Sequence, residues 1–180
     1  MAKSRLREHY ENKLRSELQK DLGLSNVMQV PKVSKIVINV GVKEAVGDSR
    51  VLQKIQENIG NISGQKTVRT LAKKSIAGFK LREGLPIGVK VTLRRDRMYE
   101  FLDKLINLAL PKVKDFQGLP TKLDGRGNYN IGLREWTIFP EAEDKIGETA
   151  YGMNITLHTT ANNDEHAFAL LKTFGMPFKK

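Results

Sequence analysis

The chain contains no cysteine, which removes disulfides and thiolate metal sites and leaves nothing that argues for an oxidising compartment, so a cytosolic setting is expected. Long apolar runs are missing as well. The longest, Ala167 to Leu171, is five residues, far short of a membrane span, and the opening MAKSRLREHYENKL has no apolar stretch of the kind a secretory signal needs. Neither a membrane partner nor export is expected. Acidic residues nearly vanish from one stretch, Gln65 to Arg95, where Glu83 alone stands against nine Lys and Arg. That stretch carries +8 of the chain's formal net charge of +11, a concentration that points to a polyanion. Membrane-surface binding usually shows instead as a basic amphipathic helix, so nucleic acid is the favoured partner.

What is present reads as one domain over 1–180. Leu6, Tyr10, Leu14, Leu18 and Leu22 recur every four residues and predict an N-terminal helix from Ser4 to Leu22. Lys35 to Val42 alternates as a half-buried strand, with Ile36, Ile38, Val40 and Val42 inward. Gly47, Asp48 and Ser49 offer a turn and an N-cap for a helix that Gly64 stops. Two strands follow, with Val68 taken as inward on the first and Ile87, Val89, Val91 and Leu93 inward on the second. Lys73 to Pro86 lies between them as a long polar connection.

Asp96 is read as the N-cap of a third helix ended by Pro111. Within Gln117 to Glu148, Asp124 to Gly132 is read as a loop, Leu133 to Phe139 as a strand ended by Pro140, and the region of Glu141, Glu143 and Asp144 as exposed connection. Met153 to Thr160 alternates again, and Asn162 or Asn163 starts a last helix stopped by Gly175 and Pro177. The order predicts an α+β fold: an antiparallel sheet with helices packed on one face, a split β-α-β-β-α-β core of the ferredoxin-like kind, plus the N-terminal helix.

The face left open would carry Lys35, Asn39, Gln65, Thr67, Arg69, Lys90, Thr92 and Arg94, joined by Asn154, Thr156 and His158. Lys and Arg supply phosphate contacts, while amides and hydroxyls bond base edges or ribose. No aromatic side chain is expected on this face, which favours folded RNA over a flexible strand. GRGNYNIG lacks the Lys-Ser/Thr of a phosphate loop, the three histidines show no metal-ligand spacing, and no nucleophile, base and orienting group can be assembled. No catalytic residue, metal or cofactor is expected. A small basic enzyme acting on RNA and a protein-interaction module remain the alternatives. The module would use the acidic section Gln117 to Ala150, with six acids against four bases.

KIVINVGV (Lys35 to Val42), GQKTVRTLAKKSIAGFKLREGLPIGVKVTLR (Gly64 to Arg94), RMYEFLDKLINLALPKVKDFQG (Arg97 to Gly118), DGRGNYNIG (Asp124 to Gly132) and GMNITLHTTANNDEHAFALLKTFGMPF (Gly152 to Phe178) together cover nearly the whole chain. In these segments the sequence resembles the bacterial fifth large-subunit ribosomal protein family, the 5S rRNA binders. The resemblance implies a non-enzymatic constituent of the large ribosomal subunit, sited in the central protuberance of a cytoplasmic ribosome. Its sheet face would grip 5S rRNA, with Asn39, Gln65, Thr67 and Thr92 as the polar set. Lys73, Lys74, Ser75, Gly78, Phe79, Lys80 and Arg82, in the loop to Gly84, would reach a P-site tRNA. Further implied partners are 23S-type rRNA, neighbouring central-protuberance proteins and a small-subunit head protein, the last contacting the region from Leu110 to Ala150. Gly78 stands where the family often has Asn, which predicts a more flexible tip.

Overall fold

The computed structural model describes residues 3–145 and 151–179. In chain order the elements are a helix over 5–21 (α1), β1 (Val33–Gly41), α2 (Ser49–Ser63), β2 (Val68–Leu71), β3 (Pro86–Leu93), a helix over 95–109 (α3), β4 (Tyr129–Leu133), β5 (Met153–Thr159) and α4 (Asp164–Thr173). One five-stranded sheet has the order β2-β3-β1-β5-β4, with β2 and β3 antiparallel. Without β4 the order is that of the split core, the third strand lying between the first two, and the expected α+β class with its N-terminal helix is the fold observed.

The chain divides into two compact units, one of Met1–Ile36, Leu93–Ile131 and Thr156–Lys180, the other of Val37–Thr92 and Gly132–Ile155. The division falls inside β1, β3, β4 and β5. In the first unit the four-residue spacing of α1 buries Leu6, Tyr10, Leu14 and Leu18, and Ser4 caps the helix by accepting from Arg7 N. The Tyr10 ring lies 6.4 Å from Tyr99 and 5.6 Å from Phe174, and its hydroxyl donates to Pro31 O at 2.9 Å. Burial pushes the Tyr99 phenol up to about 12. Arg5 pairs with Asp103 at 2.7 Å and Arg7 with Asp96 at 2.9 Å.

Asp96 is therefore not the cap that was expected. Arg94 occupies that position without a side-chain bond, and Asp96 sits in the first turn, its pKa lowered chiefly by the hydrogen bond from Arg7. The helix ends at Ala109, close to the expected stop at Pro111. The chain continues into a 3-10 turn, Leu110–Lys112, whose first positions tolerate a residue without an N–H.

In the second unit Asp48 caps α2 by accepting from Arg50 N at 2.8 Å, and Gly64, at φ +63°, ends it. Leu52, Ile55, Ile59 and Ile62 are buried on one stripe, and Ile38, Val40, Val89 and Val91 belong to the same unit's core. Gly88 in β3 is there for a close approach: a Cβ would lie 2.6 Å from Val40 O and 2.8 Å from Thr70 Oγ1. Gly88→Ala should cost about 1–3 kcal/mol of stability, read as a lowered urea midpoint; an unchanged midpoint would show that the sheet yields there freely.

Within Gln117 to Glu148 the expected loop over 124–132 and strand over 133–139 are corrected, while Glu141 of the acidic connection is exposed as expected. The strand is Tyr129–Leu133, buried at alternate residues, and Trp136–Ile138 is a 3-10 turn. Trp136, Phe139 and Ala142 are buried, and the 3-10 segment Pro140–Lys145 lies against α2. Residues 146–150 of that section lie outside the described residues.

Candidate nucleic-acid interface

Alternation along β1, β3 and β5 sends one set of side chains into the core and leaves the other uncovered. In the second unit the uncovered set includes Asn39, Lys90, Thr92 and Asn154; in the first it includes Lys35, Asn130, Thr156 and His158. Asn39 and Thr92 are half-buried, and no other described group bonds to the Asn39 amide or the Thr92 hydroxyl. Gln65 approaches β3 and donates its amide nitrogen to Thr92 O at 3.1 Å, so one end of that side chain is already used. Lys90 and Arg94 are exposed, and Lys35 is half-buried.

Thr67 and Arg69 do not share this face, which corrects the sequence reading. Directly opposed residues of an antiparallel pair point the same way, and Arg69 opposes the buried Val89 while Val68 opposes the exposed Lys90. Val68 is 59% exposed and Thr67 only 4%. A four-residue strand has too few residues to announce its register, and a slip of one reverses every side chain. The register is fixed here by Gln56 of α2. Its backbone oxygen accepts the Thr67 hydroxyl at 3.2 Å, its side-chain oxygen accepts Arg69 Nε at 2.9 Å, and its amide nitrogen donates to Thr67 O at 3.4 Å. Gln56 escaped the sequence reading because it lies beside the apolar stripe of its helix.

The hairpin tip is an ordered extension, not the loose connection its composition suggested. Ala72 N donates to Leu85 O at 2.8 Å and Gly84 N to Ala72 O at 3.0 Å. Further out, Ile76 and Leu81 exchange both backbone bonds, and Ser75 Oγ accepts from Glu83 N at 2.9 Å. The turn Ala77–Phe79 is closed by Lys80 at φ +53°, so the left-handed residue is Lys80; Gly78 has an ordinary φ, with open space where a Cβ would stand. Lys73, Lys74, Ser75, Gly78, Phe79, Lys80 and Arg82 are all outward-facing, Phe79 at 70% exposure, and none of the tip's cations pairs with a carboxylate among the described residues. A hydrogen-bonded, unneutralised, cationic hairpin topped by one aromatic ring suits a phosphate-bearing surface.

The first unit adds side chains that the loop reading of Asp124 to Gly132 hid. Asn128, just before β4, lies beside His158 of β5, and Asn130 of β4 lies beside Thr156. The alternation of Tyr129, Ile131 and Leu133 was present in the sequence, masked by three nearby glycines. His9 and His166 contribute to no metal site: among the described residues no group of three or more His, Asp or Glu is placed to hold an ion.

Two family models match consecutive parts of the chain, "Ribosomal protein L5" over residues 26–82 and the C-terminus of the same ribosomal family over 86–178. Among curated relatives, large ribosomal subunit protein uL5 of Campylobacter hominis is 56% identical over 179 residues, covering 98% of each chain. That of Geobacter sulfurreducens is 56% identical over 178 residues, 98% of this chain and 99% of its own. That of Nitrosococcus oceani is 52% identical over 177 residues, 98% of each. With two family models spanning most of its length and relatives more than half identical along almost all of it, the chain belongs to the uL5 family of ribosomal proteins, structural constituents of the large subunit and not enzymes.

Proposed function

We propose that the chain works as one RNA-binding domain whose uncovered sheet face holds 5S rRNA in the central protuberance of the large subunit, with 23S-type rRNA and other central-protuberance proteins as neighbours. The observation that carries this is the pair Asn39 and Thr92: half-buried hydrogen-bonding groups on an uncovered face, with no partner inside the described chain. Such groups gain most when an outside surface supplies the missing bonds. Lys35, Lys90 and Arg94 supply the phosphate contacts around them. Arg69, exposed at the sheet edge but held by Gln56, contributes charge only, and Thr67 acts by holding β2 in register.

The tip from Lys73 to Gly84 projects a second cationic surface and contacts a P-site tRNA. The region from Leu110 to Ala150 meets a small-subunit head protein, through exposed residues such as Arg134 and Glu135 rather than through its buried Trp136.

Titration of the chain with purified 5S rRNA tests the first statement. Saturable binding is expected, with log K falling against log salt by about 0.7–0.9 per phosphate neutralised; absence of saturation in moderate salt, or a flat salt response, refutes it. Replacing Lys73 and Lys80 together by Gln should leave 5S affinity within about threefold while weakening tRNA binding. A large loss of 5S binding would mean the two surfaces are not separate.

A further inference from the structure

At the β4 end of the sheet, in the first unit, hydrogen bonds fix which nitrogen of a surface histidine carries its proton. Asp164, in the first turn of α4, accepts Gly125 N at 2.9 Å and Gly127 N at 2.8 Å. Gly127 is at φ +74°, and a Cβ there would lie 2.8 Å from Ala161 O, so only glycine lets the loop close this tightly. Asp124 Oδ1 accepts the N–H groups of Arg126 and Asn128, and its Oδ2 accepts Asn128 Nδ2 at 2.7 Å.

An ionised carboxylate can only accept, and the bond from Asn128 is the first reason Asp124 stays ionised, its pKa lying below the usual range. The Asn128 amide nitrogen is thereby committed to Asp124, and its oxygen faces His158 Nδ1 at 3.1 Å. That oxygen also only accepts, so Nδ1 bears the hydrogen. In the neutral ring Nε2 is then a bare lone pair. The ring stays neutral at pH 7, because burial first and the Lys35 charge second lower its pKa against the smaller opposing effect of Asp124. His158 is half-buried on the uncovered side of β5, and no described group bonds to Nε2. One step along, Thr156 donates to Asn130 Oδ1 at 2.7 Å, leaving the exposed Asn130 amide nitrogen as a donor on the same face.

We propose that His158 and Asn130 form a further RNA contact at the β4–β5 end of the face, in which Nε2 accepts a hydrogen bond from a ribose 2′-hydroxyl, Asn130 donates to the same strand, and Lys35 meets its phosphate. A phosphate oxygen or base carbonyl has no hydrogen to give Nε2. A ribose hydroxyl does; base amino and imino groups do as well, but pairing engages most of those in a folded RNA, whereas the hydroxyl is present at every nucleotide and is the group by which a protein tells RNA from DNA. The inference rests on 5S rRNA binding to the sheet face.

Dissociation constants of the full chain and of His158→Ala are measured against 5S rRNA and against 5S rRNA carrying 2′-deoxy nucleotides segment by segment. His158→Ala should weaken binding about 3- to 10-fold. One deoxy segment should weaken the native chain by a similar factor while leaving the variant unchanged. Asn130→Ala, at an exposed position, should lose about 2- to 5-fold and guards against a folding effect at His158. Variants within twofold of the native chain, or deoxy segments that affect native and variant chains alike, overturn the contact while leaving 5S binding itself intact. A native chain that fails to bind 5S rRNA overturns both.

Discussion

Trp136→Ala is expected to lower the unfolding free energy by about 3–5 kcal/mol, enough to leave a marginally stable chain partly unfolded at 37 °C. The indole is 2% exposed, its ring centroid lies 5.5 Å from that of Tyr151, and its backbone oxygen accepts Phe139 N at 3.0 Å. Removing it empties a cavity among groups of the same unit, where Phe139 and Ala142 are also buried. Urea denaturation of the variant beside Phe79→Ala makes the comparison sharp, because Phe79 is 70% exposed and its truncation should leave the midpoint unchanged. Equal midpoints for Trp136→Ala and the native chain would refute the core assigned to this section.

For RNA, the largest single loss is expected from Asn39→Ala. Its amide is half-buried on β1, whose backbone the fully buried Ile38 and Val40 anchor in the sheet before RNA arrives. With no partner inside the described chain, the amide gives up no internal bond when RNA supplies one. The expected loss is about 1–3 kcal/mol, roughly 5- to 150-fold in Kd for 5S rRNA, with an unchanged salt slope because no charge is removed. Thr92→Ala should follow in the same direction. Thr67→Ala should instead lower stability first, its hydroxyl being bonded to Gln56 O. If Thr67→Ala cuts RNA affinity as deeply as Asn39→Ala with no change in stability, the assignment of faces is wrong.

The contrast between Asn39 and Thr67 shows what the sequence could reveal. β1 announces its faces through nine residues of strand bounded by apolar alternation, and Asn39, Lys90 and Thr92 emerge where expected. β2 has four residues and a register shift between Thr70 and Leu71, so either alternate set could have been the inward one. What decided it was Gln56, a contact from another element that periodicity does not encode. The same holds for β4, where glycine density outweighed a legible alternation, and for Asp96, whose partner Arg7 is 89 residues away in the chain. The basic hairpin was legible as charge but not as structure, because its shape comes from backbone bonds and from a lysine in a conformation usually left to glycine.

The open space at Gly78 also offers a way to watch the hairpin. Its backbone has an ordinary φ, nothing stands within 4 Å of where a Cβ would be, and the chain has no cysteine. A single cysteine introduced there is the chain's sole thiol, accepted without strain at the outermost turn. A maleimide dye attached to it reports on that turn alone, reading its surroundings and rotational freedom in the free protein and in assembled subunits from the same labelled molecule.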